Sequence, residues 1–261
     1  MTTAKRLLLE RKDDVVYLTI NRPEALNALN TELLDLLNET LDELAASDAR
    51  CVVVKGAGDR AFIAGADVAE MKDLTKDEAL RFGRMGNLVF AKLSDLPMPV
   101  IAAIDGFCLG GGLEFALAAD FRVASENASF AFPETGLGIM PGFGGTARLP
   151  RLIGEATAFD LIYTGRRIKA DEALALGIVG RVFTASDFNE EVDKLAKTIA
   201  DKAPLAMRAA KRAIQQGQMK ALTDALFDES EIFAELFETS DQVTGMEALL
   251  SRTPHPGFKG Q

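Results

Sequence analysis

Histidine is nearly missing from this chain: the single one, His255, lies in a Pro-flanked stretch near the C-terminus. That scarcity argues against Ser-His and Cys-His nucleophiles and against a histidine-bound metal, so no metal site is expected. Cysteine is scarce too, and Cys51 and Cys108, both set among apolar residues, read as buried free thiols and not as a disulfide framework. Such thiols point to a reducing compartment. Positive charge is in deficit, with 29 lysines and arginines against 39 aspartates and glutamates and a formal net charge of −10. An acidic chain has no global attraction for nucleic acid or an anionic membrane, so neither is expected as the main partner. No apolar run reaches membrane-spanning length, and the opening MTTAKRLLLERKDD returns to charge after three leucines, too soon for a secretory leader. The cytoplasm is the expected location. GxxxxGK[ST] and GxSxG are absent, and Gly136-Leu137-Gly138 followed by Gly142 misses a GxGxxG spacing by one residue. Phosphate-loop, hydrolase-elbow and dinucleotide readings therefore have no support.

What is present is an ordinary globular composition, 48% hydrophobic and 26% charged over 261 residues, enough for one large α/β domain with or without a helical appendage. Residues 7–11 and 15–20 predict a hairpin across Lys12, Asp13 and Asp14. Asn30 or Thr31 can cap an amphipathic helix carrying Leu33, Leu34, Leu36, Leu37, Leu41 and Leu44. The continuous apolar runs 51–54 and 100–104 predict strands buried on both faces, and the helix between them starts at a Thr75/Glu78 capping box. Strand, helix and strand in that order imply a parallel crossover. A second helix follows residues 110–112, then strand candidates at 121–124 and 128–132. From about residue 188 the glycines thin out and three or four amphipathic helices follow, so residues 1–187 read as the core and 188–261 as a helical region. The stretch 219–237 carries Leu222, Leu226, Phe227, Phe233, Leu236 and Phe237, more apolar surface than a free helix should show, and must pack on the body or on another subunit.

Three constellations could carry chemistry. Ala64-Gly65-Ala66-Asp67 offers small side chains and uncovered backbone amides at a strand end. Gly110-Gly111-Gly112-Leu113-Glu114 leads from a strand into a helix start, where free N–H groups and the helix dipole favour negative charge. Brought together, the two amide sources would form an oxyanion hole. Taken alone, each glycine cluster is more often a tight turn. The third is Phe132-Pro133-Glu134-Thr135-Gly136, a lone carboxylate in an apolar loop, which must pair, protonate or do chemistry. Glu114, followed by five apolar residues, could equally be an acid favoured for its place in a first helical turn.

The order of the pieces resembles the enoyl-CoA hydratase/isomerase (crotonase) family: Asn21-Arg22-Pro23-Glu24-Ala25-Leu26-Asn27-Ala28-Leu29, then AGAD at 64–67, GGGLE at 110–114, FPE at 132–134 and PGFGGTARLPR at 141–151. The resemblance implies an α/β crotonase fold, a spiral of repeated ββα units with a C-terminal helical trimerisation region, assembled as a homotrimer or a homohexamer. It implies a hydro-lyase acting on coenzyme A thioesters, with no separate cofactor because coenzyme A arrives as part of the substrate. By position, Glu114 and Glu134 would be the catalytic pair, Glu114 activating water for C3 and Glu134 protonating C2, and Ala66 and Gly111 the oxyanion-hole amides. Glu24, Ala25, Leu26, Arg60, Ala64, Asp67, Val68, Gly142 and Lys259 would contact substrate or coenzyme A, Gly142 at the water pocket and Lys259 across a subunit boundary. Position 24 is acidic and position 69 alanine, where many members place basic residues, which leaves the phosphate contacts open. The two acids should repel, so one should titrate well above a free glutamate. Acyl-pocket walls are expected from residues 71–85, read as a mobile stretch. Two rivals remain: double-bond isomerisation on the same scaffold, and a non-catalytic or RNA-binding member using Arg208, Lys211 and Arg212, which read instead as a solvated helix face.

Overall fold

The computed structural model describes residues 6–255 and 257–261. The first five residues of the opening segment, on which the leader reading partly rests, lie outside the described residues. Leu7–Lys12 (β1) and Val15–Ile20 (β2) pair antiparallel around Asp13, whose φ of 52° is left-handed, a conformation Asp tolerates in tight turns. The cap of helix α1 (Thr31–Ala45) is Asn30, which accepts the Leu33 amide at 3.0 Å; of the six leucines predicted for its apolar stripe, Leu33, Leu34, Leu37, Leu41 and Leu44 are buried and Leu36 stays partly exposed.

The next elements repeat a pattern. Strands β3 (Cys51–Gly56) and β4 (Ala61–Ile63) precede helices α2 (Val68–Met71) and α3 (Lys76–Asp95). Strands β5 (Val100–Ile104) and β6 (Phe107–Leu109) precede α4 (Gly111–Ala118). Strands β7 (Phe121–Ser125) and β8 (Ser129–Ala131) precede α5 (Gly145–Ile153) and α6 (Glu155–Thr164). Then come β9 (Ile168–Lys169), α7 (Ala170–Ala175) and β10 (Arg181–Phe183). One sheet runs β1-β2-β3-β5-β7-β10 and the other β4-β6-β8-β9, so each turn of chain lays one strand in each sheet and then adds a helix. Neighbouring turns pair parallel, β3 with β5 with β7 and β4 with β6 with β8. This is a ββα spiral.

The C-terminal helices are α8 (Phe188–Ala200), α9 (Pro204–Gly217), α10 (Leu222–Glu235) and α11 (Ser240–Ser251). Helix α8 differs from its expected place. Phe188, Val192, Leu195 and Ala196 pack on Val15, Tyr17, Val53, Ile101 and Val123, so α8 covers the second face of the larger sheet and belongs to the core by packing. Lys211 on α9 also departs from the solvated-face reading: its side chain is only 8% exposed, donating to Asp120 Oδ2 at 2.7 Å and to the Met98 carbonyl at 3.1 Å. The cation pins α9 to the body because Asp120, half surrounded by protein, would otherwise be a poorly solvated charge. Residues 71–85 hold the end of α2 and half of α3, with Phe82 buried and Met71, Leu74 and Met85 packed against the core.

Helix α10 buries Ile232 and packs on α9, but most of its apolar face finds no cover among the described residues: Leu222, Leu226, Phe227 and Phe233 are exposed, Phe227 at 66%. Of the two destinations expected for it, the body thus takes up only a part. The tail folds back on its own chain. The amides of Lys259 and Gly260 each donate to buried Asp241 at 2.7 Å, and Arg50 Nη2 donates to the Phe258 carbonyl at 2.8 Å. No described helix is long and apolar enough to cross a membrane.

Candidate active site

Helix α4 is apolar on every side except at Glu114, and all eight of its residues are buried. A helix of that composition belongs in a core, and it carries its one acid inside with it, to 2% exposure. Gly112 permits the approach, since a Cβ there would lie 2.0 Å from the Ile63 carbonyl oxygen of β4. The carboxylate does not go unpartnered. Glu114 Oε1 accepts the backbone amides of Phe143 at 2.8 Å and Gly145 at 2.7 Å.

Glu134 opens a 3-10 turn over Glu134–Leu137, directly after β8, and is 8% exposed. Its carboxyl lies over the start of α4, where a Cβ on Gly110 would meet Oε1 at 2.5 Å. Its Oε2 is buried and has no hydrogen-bond partner among the described residues. Burial, with a smaller contribution from the Glu114 charge, pushes this carboxyl up to about 7. Glu114 is also raised by burial, but the two amides and the Arg148 charge pull the other way. The expectation that one acid titrates high holds in direction; its leading cause is desolvation and not repulsion between the pair.

The two amide sources that the sequence could not bring together do meet. Leu29 donates to the Gly65 carbonyl at 2.8 Å and accepts from the Asp67 amide at 2.8 Å, a bridge that leaves the Ala66 amide turned away from it. That nitrogen lies 3.4 Å from where a Cβ on Gly111 would be. Gly111 is the first residue of α4, so its own amide has no carbonyl four residues back to bond. The Ala66 amide and the start of α4 at Gly111 thus lie side by side, on the helix that carries Glu114 and close to the Glu134 carboxyl, a candidate place for a developing oxyanion.

Of the other residues named from sequence, Ala64 and Asp67 flank Ala66, and Gly142 precedes the Phe143 amide that bonds Glu114. Leu26, at φ 52°, accepts the Ala64 amide at 3.0 Å, joining the Pro23–Ala25 turn to the strand end. Leu26 and Arg60 line one small cleft with Pro23 and Asp59. Val68 is exposed, and Glu24 is exposed and paired with Arg6 at 2.7 Å. The Asp67 carboxylate is taken up by Arg22 at 2.7 Å and by the Ala69 amide at 3.0 Å, where it caps α2, and its own amide and carbonyl are also bonded, to Leu29 and Met71. The Gly142 carbonyl accepts from Asn87 Nδ2 at 2.9 Å. Lys259 is exposed on the tail and is not brought to the site of its own chain.

Sequence reasoning missed four residues that hold the site. Asn27 is fully buried, donating to the carbonyls of Ala57 at 2.9 Å and Ala61 at 2.8 Å while accepting the Arg22 amide at 2.9 Å. An asparagine beside a left-handed turn was the available signal. Asn87, Phe143 and Arg148 gave none, because each acts through a loop whose course is tertiary. The Phe143 ring lies between α3 and α4, where a Cβ on Gly86 would meet it at 2.2 Å and one on Gly111 at 3.3 Å.

Comparison with known proteins agrees with this geometry. The family model described as enoyl-CoA hydratase/isomerase matches residues 10–261. The short-chain-enoyl-CoA hydratase of Clostridium acetobutylicum is 45% identical, covering 98% of both chains, and the crotonyl-CoA hydratase of Syntrophomonas wolfei is 42% identical over 95% of this chain and 96% of its own. The crystal structure of enoyl-CoA hydratase from Bacillus anthracis superposes with a TM-score of 0.95 at 38% identity, covering 98% of this chain and all of that one. On its fold, its site geometry and these matches, the chain belongs to the enoyl-CoA hydratase/isomerase family.

Proposed function

We propose that this chain is an enoyl-CoA hydratase that reversibly adds water to one face of trans-2-enoyl-CoA thioesters, short-chain ones such as crotonyl-CoA foremost. The observation that carries the reading is the contrast between two carboxyls beside one pair of amides: Glu114 held by two N–H donors, Glu134 left bare and raised to about 7. Glu114, ionised, takes one proton from water as the water oxygen bonds C3. The C2–C3 π electrons move toward the thioester carbonyl, whose oxygen gathers charge against the Ala66 and Gly111 amides. Glu134, protonated, gives its proton to C2. The second water proton stays on the new hydroxyl, and the acids reset by passing one proton from Glu114 back to Glu134. One amide donor is worth about 2.7–4 kcal/mol to such a transition state and one positioned acid or base about 10²–10⁴ in rate, so neither device suffices alone.

The names of the relatives support the short-chain assignment. Coenzyme A enters as part of the substrate, its path flanked by Ala25, Leu26, Ala64, Asp67 and Val68, with Arg60, which shares a cleft with Leu26, a cation available to a phosphate. Two buried free thiols, Cys51 pushed up to about 12 by desolvation, and the acidic surface favour a cytoplasmic setting. The bare face of α10 supports a homotrimer or homohexamer, and sedimentation is expected to give three or six times the 28.0 kDa chain mass. A mass of one chain would count against that assembly.

The test of the activity is turnover of 2-enoyl-CoA and 3-enoyl-CoA esters of increasing length, followed by the enoyl-thioester absorbance. Hydration of the four-carbon 2-enoyl ester, outpacing the longer esters, is expected. Isomerisation of 3-enoyl esters with negligible hydration would replace this reading by the isomerase one.

A further inference from the structure

We infer that Arg148 is a positioning residue for Glu114: its guanidinium clamps the 142–145 loop that grips the carboxylate and supplies the one cation facing it. The inference rests on reading Glu114 as the base.

The loop has an uncommon task. Two amides only two residues apart, Phe143 and Gly145, converge on the same oxygen of Glu114. The chain achieves this by taking Gly144 to φ 104°, outside the range of other residues, so the turn is not held by any intrinsic backbone preference. Arg148 holds it from both ends of the residue. Its backbone amide donates to the Gly144 carbonyl at 2.8 Å, and its Nη1 donates to the Phe143 carbonyl at 2.9 Å. The guanidinium fills the space a side chain at 144 would need, Nη1 standing 2.1 Å from that Cβ position. The third tie is Asn87, which donates to the Gly142 carbonyl at 2.9 Å.

Arg148 is partly buried, yet among the described residues it has no carboxylate within ion-pairing distance. A half-buried cation without a direct partner is expensive unless its field is used. The charges it feels are Glu114 and, from α3, Asp95. Glu114 in turn faces Arg148 on α5 and Glu134 after β8. The arginine thus favours the ionised form at Glu114, while no cation contributes in the same way at Glu134 among the described residues. That asymmetry is what divides two like residues into base and acid. Arg148 touches neither reacting atom; it acts through Glu114.

The test compares wild type, Arg148→Met and Arg148→Lys, each also in a Glu114→Gln background, by hydration of crotonyl-CoA across pH 5–9 with thermal midpoints measured in parallel. For Arg148→Met we expect kcat to fall about tenfold or more with KM within about threefold, and the acid limb of log kcat to move to higher pH by about half a unit or more. Lysine should restore the limb but only part of kcat, because it keeps the charge and loses the planar fork. In the Glu114→Gln background Arg148→Met should cost little further, the mark of two residues acting as one unit. Fully multiplied losses, or an unchanged kcat and acid limb beside a lowered midpoint, would overturn the inference and leave Arg148 a structural residue. Should Arg148→Met fail to fold, Arg148→Lys and Arg148→Gln carry the same cycle. Carboxyl ¹³C titration of Glu114 in wild type and variant keeps the test independent of turnover: an unshifted Glu114 refutes this inference even if the hydratase reading stands, and wild type inactive on every enoyl ester refutes that reading without touching the Arg148–Glu114 coupling.

Discussion

Glu114→Gln is expected to lower kcat for crotonyl-CoA hydration by about 10²–10⁴ while leaving acyl-CoA binding near its wild-type strength. The substitution is close to isosteric, and the side-chain carbonyl of glutamine can keep both bonds from the Phe143 and Gly145 amides. The 142–145 loop therefore stays closed and the Ala66 and Gly111 amides stay in place. What disappears is basicity: a neutral amide cannot take the water proton as oxygen bonds C3. The loss should fall in kcat, because water activation is needed in the transition state and not for the thioester to dock. Steady-state hydration together with calorimetric binding of a saturated acyl-CoA separates the two. Hydration within tenfold of wild type would remove Glu114 from the role of base.

The parts of the fold that were legible in the sequence are those whose signals are local. The Thr75/Glu78 box, the cap at Asn30 or Thr31, the hairpin strand at 15–20 and the leucine stripe of α1 each depend on residues within a few positions, and each appears where its pattern placed it. Strands β4, β6, β8 and β9 are two or three residues long, too short for any periodicity; only β8 falls within a predicted strand, 128–132, so the second sheet could not be assembled and the ββα repeat came only through resemblance. Helix α8 shows the complementary limit. Its amphipathic pattern says that one face is covered but not by what, and the covering partner is a sheet whose strands begin at residue 15. Lys211 fails for the same reason: a lysine between Arg208 and Arg212 looks solvated until Asp120, far back in the chain, is placed against it. At the site, the acids were recognisable as lone carboxylates in apolar runs. The meeting of Ala66 with Gly111 was not, because it is made by the Leu29 bridge and by the absence of side chains at 111 and 112, which are tertiary facts.

Glu134→Gln should trade activity for stability, and the trade should depend on pH. In the folded chain burial holds this carboxyl near 7 against an ordinary 4.5. The sign follows from proton counting. As pH rises from about 4.5 the unfolded chain gives up this proton while the folded chain keeps it, so the folded state binds more protons and stability falls until the folded group also ionises near 7. Above that pH the folded protein carries a bare buried carboxylate, at a cost on the order of 3 kcal/mol taking about 1.4 kcal/mol per pKa unit. Glutamine is neutral throughout. The variant should therefore match wild type near pH 4.5 and exceed it by that order at pH 8, in urea unfolding at equal chain concentration. Hydration should fall by about 10²–10⁴ because no proton reaches C2, and in wild type kcat should decline as pH rises through 7, when the donor is lost. A stability difference that stays the same at pH 5 and pH 8 would show that Glu134 ionises like a free glutamate. In that case it is no proton donor at neutral pH, and the protonation of C2 must come from another group. The bare Oε2 is what makes the trade physical: a partner for that oxygen would lower its pKa, relieve the folded state, and leave the site without an acid.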